Sequence, residues 1–204
     1  MFKNIKMKSK KHVRLSLKGS IVLLAVSIFI VTSCKKEEII VSPPVAGNEY
    51  MTTVKLRFEN KSNPSDTSWA VWKDVTPDDQ NAPDTSKAII NLQKDTKYKV
   101  SVKILDETKN PATDITEDIR ERGNFHFFSF FTSGAISSNL TIVATDFDTN
   151  PTPFHIGLEN EFTTNGTVSS GRLEGVLKHQ PNTKNGTFAP GNSDIDVFFT
   201  LNIK

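Results

Sequence analysis

From residue 50 to the C-terminus, apolar and polar side chains alternate in one short stretch after another. Val54, Leu56 and Phe58 fall on one side of a chain extended at period two, with Thr53, Lys55 and Arg57 on the other. A turn at 60–64 (NKSNP) separates this strand from a second at 67–73 (TSWAVWK), and a Pro/Asp-rich loop at 76–84 leads to a third that ends on Ile90 and Leu92. Further strands are predicted at 139–147, 154–162, 171–179 and 195–203. In the last, Ile195, Val197, Phe199, Leu201 and Ile203 oppose Asp196, Phe198, Thr200 and Asn202. Asn165-Gly166 and Ser170-Gly171 mark the turn before the strand at 171–179. The stretch 124–132 (NFHFFSFFT) differs, being apolar on both alternating faces and holding five of the fourteen phenylalanines. It predicts a strand central in its layer, or covered by a helix, at the heart of the core.

One helical signal interrupts the strands. Asp114-Ile-Thr-Glu117 has the form of a capping box, Ile115 and Ile119 lie one turn apart, and Gly123 suits the C-terminal end. The segment 92–102 spaces Leu, Thr, Tyr98, Val and Val in a way that resembles the tyrosine corner of fibronectin type III and other immunoglobulin-like domains. About eight strands and one short helix in roughly 155 residues predict an all-β chain, a single antiparallel immunoglobulin/fibronectin III-like β-sandwich. One core of that size needs no disulfide.

The beginning of the chain has a different character. Residues 1–33 hold seven of the 25 basic side chains and no acid, leaving 18 basic against 23 acidic residues in the remainder. Without that first segment the chain is acidic, which argues against nucleic acid as a partner. Residues 21–31 (IVLLAVSIFIV) are shorter than the ~20 apolar residues a membrane span requires and fit the core of a signal peptide. Val31-Thr-Ser-Cys34 ends in the single cysteine and resembles the lipobox of bacterial lipoproteins, which implies acylation of Cys34 and cleavage before it. Two or three acyl chains hold a protein on a bilayer where one does not. Lys36-Glu37-Glu38 resembles the signal that exports Bacteroidetes lipoproteins to the cell surface, which favours the outer face of the outer membrane over the periplasmic face. The expected organisation is a signal peptide at 1–33, a tether at 34–48 stiffened by Pro43-Pro44, and a β-domain at 49–204.

Several stretches together resemble a wider group. Met51-Thr-Thr-Val-Lys-Leu, the run 110–119 (NPATDITEDI), His126 before a Phe-rich strand, 140–148 (LTIVATDFD), 177–181 (LKHQP) and 194–198 (DIDVF) are similar to a family of short Bacteroidetes lipoproteins often labelled "type 1 periplasmic binding domain". The resemblance implies a lipid-anchored sandwich encoded beside TonB-dependent receptors and acting with one in nutrient or metal capture. The label's literal meaning, two α/β lobes, does not fit a chain with one short helix. Two departures from the family pattern stand out: His126 follows Gly123-Asn124-Phe125 rather than acids, and Pro151 replaces the glycine of an Asp-x-Asp-x-Asn-Gly turn.

Candidate chemistry is sparse. Asp146, Asp148 and Asn150 have the oxygen spacing of the first half of a calcium loop, although an EF-hand would need an acid where Gly157 stands. His126 and His179, with Glu121 from the helix, could meet at one end of the sandwich and hold zinc, or the two imidazoles could ligate a haem; His155 is the third histidine of the β-domain. Glu159 and Glu161 share a strand face, which invites a glycosidase reading although such pairs more often form a solvated edge; Trp69 and Trp72 offer rings for sugar stacking, so carbohydrate binding is an alternative, as is a structural or adhesive role. The chain has no Gly-x-Ser-x-Gly elbow and no phosphate loop, and Cys34 is its only thiol, so no enzyme is expected. Phe188, in the long polar loop at 180–194, is the candidate for partner contact.

Overall fold

In the computed structural model of the chain, Val54, Leu56 and Phe58 are buried together on one face of β1 (Thr53–Asn60), while Lys55, Arg57 and Glu59 line the other. The structure describes residues 50–76 and 81–204. Cys34, the signal at 36–38 and residues 77–80 of the 76–84 loop lie outside the described residues.

β1 lies between β2 (Thr67–Lys73) and β4 (Lys97–Asp106), antiparallel to both. β4 continues the sheet to β8 (Glu159–Thr164) and β7 (Leu140–Ala144), giving the order β2-β1-β4-β8-β7 (sheet A). Beyond the reach of β8, the end of β4 pairs with the two-residue strand β5 (Thr113–Asp114). The second layer, sheet B, has the order β3-β10-β9-β6, formed by β3 (Ile89–Leu92), β10 (Asn192–Ile203), β9 (Ser169–His179) and β6 (His126–Gly134). Among the described strands only β3 and β10 pair in parallel. The fold is all-β, two mainly antiparallel sheets sharing one core. Phe162 of sheet A stands at its centre, edge-on to Phe58 at 5.8 Å and to Phe130 of sheet B at 5.3 Å.

The tyrosine in β4 is held as its spacing predicts. The backbone N–H of Gln93 donates to Tyr98 Oη at 2.8 Å, the ring is buried, and Leu92 packs into the core beside it. Burial of the phenol raises the pKa of Tyr98.

Three expectations are corrected. β6 is an edge strand of sheet B rather than a central one, and what covers its outer side is the loop at 180–191, not the helix: Phe188 packs edge-on against Phe131 at 4.8 Å. The strand expected at 154–162 begins only at Glu159, because 154–158 is drawn into a turn around Asp146. Gly157 takes φ +86° there, and a β-carbon on it would meet the Phe128 carbonyl at 2.0 Å. Finally, the helix α1 (Thr116–Glu121) has close to the two turns that the pattern suggests but lacks the capping box. Asp114 accepts from the N–H of Thr116 rather than from Glu117, and Thr116 Oγ1 in turn accepts from the N–H of Ile104 at 2.9 Å, fastening the helix start to β4. Ile115 and Ile119 point into the core as expected.

Tyr98→Phe keeps the buried ring and removes the acceptor for Gln93 N–H. The expected cost is about 1 kcal/mol in urea denaturation, with an unchanged m-value.

Candidate functional site

The outer face of sheet A is a mesh of charges set by register. Trp69, Arg57 and Ser101 form one row across β2, β1 and β4, and Val71, Lys55 and Lys103 form the next. Along the mesh, carboxylates hold the cations. Lys103 meets Asp114 at 2.9 Å, Arg57 meets Glu59 at 2.6 Å, Arg120 lies 3.6 Å from Glu159, and Lys55 and Lys73 both pair with Glu107. Glu161, claimed by Lys61 and Lys97, has its carboxyl held below the usual range by the Lys61 hydrogen bond. Glu159, within 4 Å of Lys99 and Arg120, and Glu161 thus both lie in ion pairs on this face.

Of the depressions on this face, two adjoin at Trp69. One, of about 560 Å³, is lined by Lys55, Trp69, Val71, Lys103, Leu105, Ala112 and Asp114. The other, of about 180 Å³, adds Arg57, Ser101, Glu117 and Arg120 and shares Trp69, Lys103 and Asp114 with the first. Together they make one groove, with Trp69 and Val71 of β2 as one wall and β5 with α1 as the other. Trp69 is 52% exposed, whereas Trp72 is 8% exposed and belongs to the core. Only one of the two expected stacking rings is thus on the surface.

The structure brings His126 and His179 together, as the strand ends suggest. They are direct partners across β6 and β9, and their rings stack at 5.1 Å with planes 16° apart. The third expected ligand does not join them: Glu121 is exposed, and among the described residues no three His, Cys, Asp or Glu side chains are placed to hold a metal ion. Rings stacked on each other also cannot flank a haem iron from opposite faces. His126 is 3% exposed, and its Nδ1 lies 3.1 Å from the Arg122 carbonyl, an acceptor only, so the neutral ring carries its proton there. Burial, reinforced by the neighbouring His179, pushes its pKa down to about 4. His155 stands apart, its ring against Phe147 at 4.3 Å.

The calcium-like turn is occupied by the protein itself. Asp146 accepts from the N–H groups of Gly157 and Leu158 at 2.8 and 3.0 Å. Asp148 accepts from the N–H groups of Asn150 and Phe154 and from the Asn150 side-chain amide, all near 3 Å. The cation beside Asp148 is Lys184, whose Nζ sits 2.7 Å away with side-chain exposures of 2% and 0%. Lys184 also donates to the Gly123 carbonyl at 2.8 Å, so the loop is tied both to the turn and to the end of α1. Sequence spacing gives no sign of this pair, because 36 positions separate its members. Gln180, fully buried, donates to the carbonyls of Thr187 and Pro190 and fixes the same loop from within. Phe188 is thereby folded down: it lies on Phe131, with Lys178 Nζ 5.0 Å above its ring. It nevertheless keeps 37% of its surface exposed.

No family model matches the chain, and no curated protein or solved structure matches it either.

Two outcomes follow from the buried groups. An ordinary histidine pKa near 6.5 in the unfolded chain against about 4 in the folded one means that protonation favours unfolding. The contribution of His126 to stability is complete above pH 6.5 and is lost as pH falls toward 4, by about 2 kcal/mol at pH 5. Urea midpoints at pH 7 and pH 5 should diverge more for the unaltered protein than for His126→Asn. Lys184→Met strands the Asp148 charge in the interior and should cost about 3–5 kcal/mol, of which the double variant with Asp148→Asn recovers a substantial part.

Proposed function

We propose that this protein is a lipid-anchored binding module of the bacterial outer membrane, held by acylated Cys34 on a short tether and working beside a TonB-dependent receptor. The observation that carries the binding role is the groove on sheet A. It combines an exposed indole with fixed polar side chains on a rigid sheet face, the composition of a small-molecule site. The lipobox-like run before Cys34 and the Lys36-Glu37-Glu38 sequence support the membrane location and the cell-surface side. The receptor partnership rests on the family resemblance.

We further assign the fold to the immunoglobulin/fibronectin III-like sandwiches. The Tyr98 hydroxyl bonded to backbone five residues upstream and the two stacked, mainly antiparallel sheets support that finer reading. The role is binding rather than catalysis. The carboxylates around the groove are committed to ion pairs, and none of those with a displaced pKa is shifted upward, as a general acid's would be.

Mass spectrometry of the protein extracted from membranes should find an N-terminal peptide that begins at Cys34 and carries diacylglyceryl and acyl mass. The same acylated protein, used as bait in detergent-solubilised outer membranes, should retain a TonB-dependent receptor. A free Cys34 thiol in an uncleaved chain would overturn the anchored reading, and bait that retains no receptor would overturn the partnership.

A further inference from the structure

We infer that the groove on the outer face of sheet A binds a neutral oligosaccharide, with Trp69 as the stacking platform between two adjoining sugar subsites; this deepens the binding role proposed above and rests on it. The first ground is the state of the indole. Among the described residues the exposed large aromatics are Tyr50, Trp69, Phe125, Phe131, Phe147 and Phe188; the last three are covered in part by another ring, and of the three that are not, only Trp69 lines the groove. Trp69 takes part in no ring–ring or cation–ring contact within that set, although it is more exposed than Phe131 or Phe188. A broad, rigid ring that is apolar on its face and a hydrogen-bond donor at its edge matches a pyranose, which is apolar on its C–H face and polar around its rim.

The second ground is charge. All four cations in the groove already have carboxylate partners: Lys103 with Asp114, Arg57 with Glu59, Arg120 with Glu117 and Glu159, and Lys55 with Glu107. Although Glu107 is shared with Lys73 and Glu159 with Lys99, a polyanion would have to compete with carboxylates already seated beside every groove cation, and a greasy ligand would have to strip water from this ring of ions. Hydroxyl groups are suited to such a setting, because each can donate to a carboxylate and accept from an ammonium or guanidinium without breaking the pair. Asp114 and Lys103 border both depressions and sit across the groove from Trp69, where the rim of a stacked sugar would lie.

The third ground is shape. The larger depression, about 560 Å³, falls within the roughly 300–1,000 Å³ typical of small-ligand sites. The smaller one continues it past the indole. A linear chain of several residues fits two depressions meeting at a stacking ring better than a single sugar does.

The test titrates the full acylated chain, in detergent micelles, with maltohexaose, cellohexaose, laminarihexaose and mannohexaose, and with a heparin hexasaccharide as the anionic comparison. Tryptophan emission and calorimetry are both read; Trp69 is the exposed emitter and Trp72 the buried one. At least one neutral hexasaccharide should saturate the protein and alter the exposed emission. Trp69→Ala should weaken that binding by about tenfold or more, Trp69→Phe by less, and Asp114→Asn severalfold, while Phe188→Ser leaves it unchanged. The inference is overturned if none of the four neutral chains binds, if the heparin fragment binds more tightly than all of them, or if Trp69→Ala leaves the affinity unaltered. Receptor capture by the same preparation reports separately on the proposed role. A receptor retained equally by unaltered and Trp69→Ala bait, with no sugar bound, would leave that role standing and remove the saccharide.

Discussion

Register between β1 and its two neighbours is the constraint on which the rest depends. Because side chains alternate with period two, the pairing of Leu56 with Ala70 on one side and Val102 on the other puts Leu56, Ala70 and Val102 inside together. The same pairing fixes Trp69, Arg57 and Ser101 in a row outside. A slip of one residue would exchange the two sets, burying an arginine and exposing the core. The core therefore determines the groove: nothing on the outer face has to select its own position, since burying Phe58, Leu56 and Val54 has already done so. Trp69 and Trp72 show this most directly. They lie three apart in one strand, an odd separation, so one of them must face solvent if the other fills the core.

The same economy governs the two ways charge is handled. On sheet A the ions lie in water's reach and in pairs that cost little and contribute little individually, and their effect is to give every paired cation a carboxylate neighbour. At Asp148 the charge is taken out of water altogether, and there it is surrounded by backbone N–H groups, an amide and the Lys184 ammonium. Burial raises the carboxyl pKa and those donors more than offset it, so the group stays ionised and its pKa is lowered overall. The pair joins a turn between β7 and β8 to the long loop after β9, and with that loop held down Phe188 can cover the outer side of β6.

Local pattern carried most of the strand positions. β1, β2 and β10 lie where alternation places them, and Tyr98 bonds as its spacing implies. What alternation could not convey was pairing. Apolarity on both faces of the Phe-rich stretch predicts a strand central in its layer or covered by a helix, yet it is equally satisfied at an edge by a loop from elsewhere in the chain. Asp146, Asp148 and Asn150 likewise have a spacing that suits a cation, but only Asp148 meets one, and it is a lysine 36 residues away. His126 and His179 meet because both begin or end strands at the same end of sheet B, while Glu121, exposed at the last position of α1, does not come with them. Of the groove, sequence offered Trp69 alone. Its opposite wall is built by β5, a strand of two residues with no periodic signature at all.

An open groove on a flat sheet excludes less water than a closed cavity and so binds weakly on its own, since only part of a ligand's surface is taken from solvent. On the reading proposed here, the tether supplies what the groove lacks. A module confined to a membrane surface meets a neighbouring receptor, or a polymer already engaged by one, at an effective concentration set by tether length rather than by bulk dilution. The stretch read as the tether, residues 34–48, is only fifteen positions long, which bounds the distance over which such a module could reach a neighbour. Weak, fast-exchanging contact is then an advantage: a ligand held loosely beside a receptor can be passed on, whereas one held tightly would have to be pulled away.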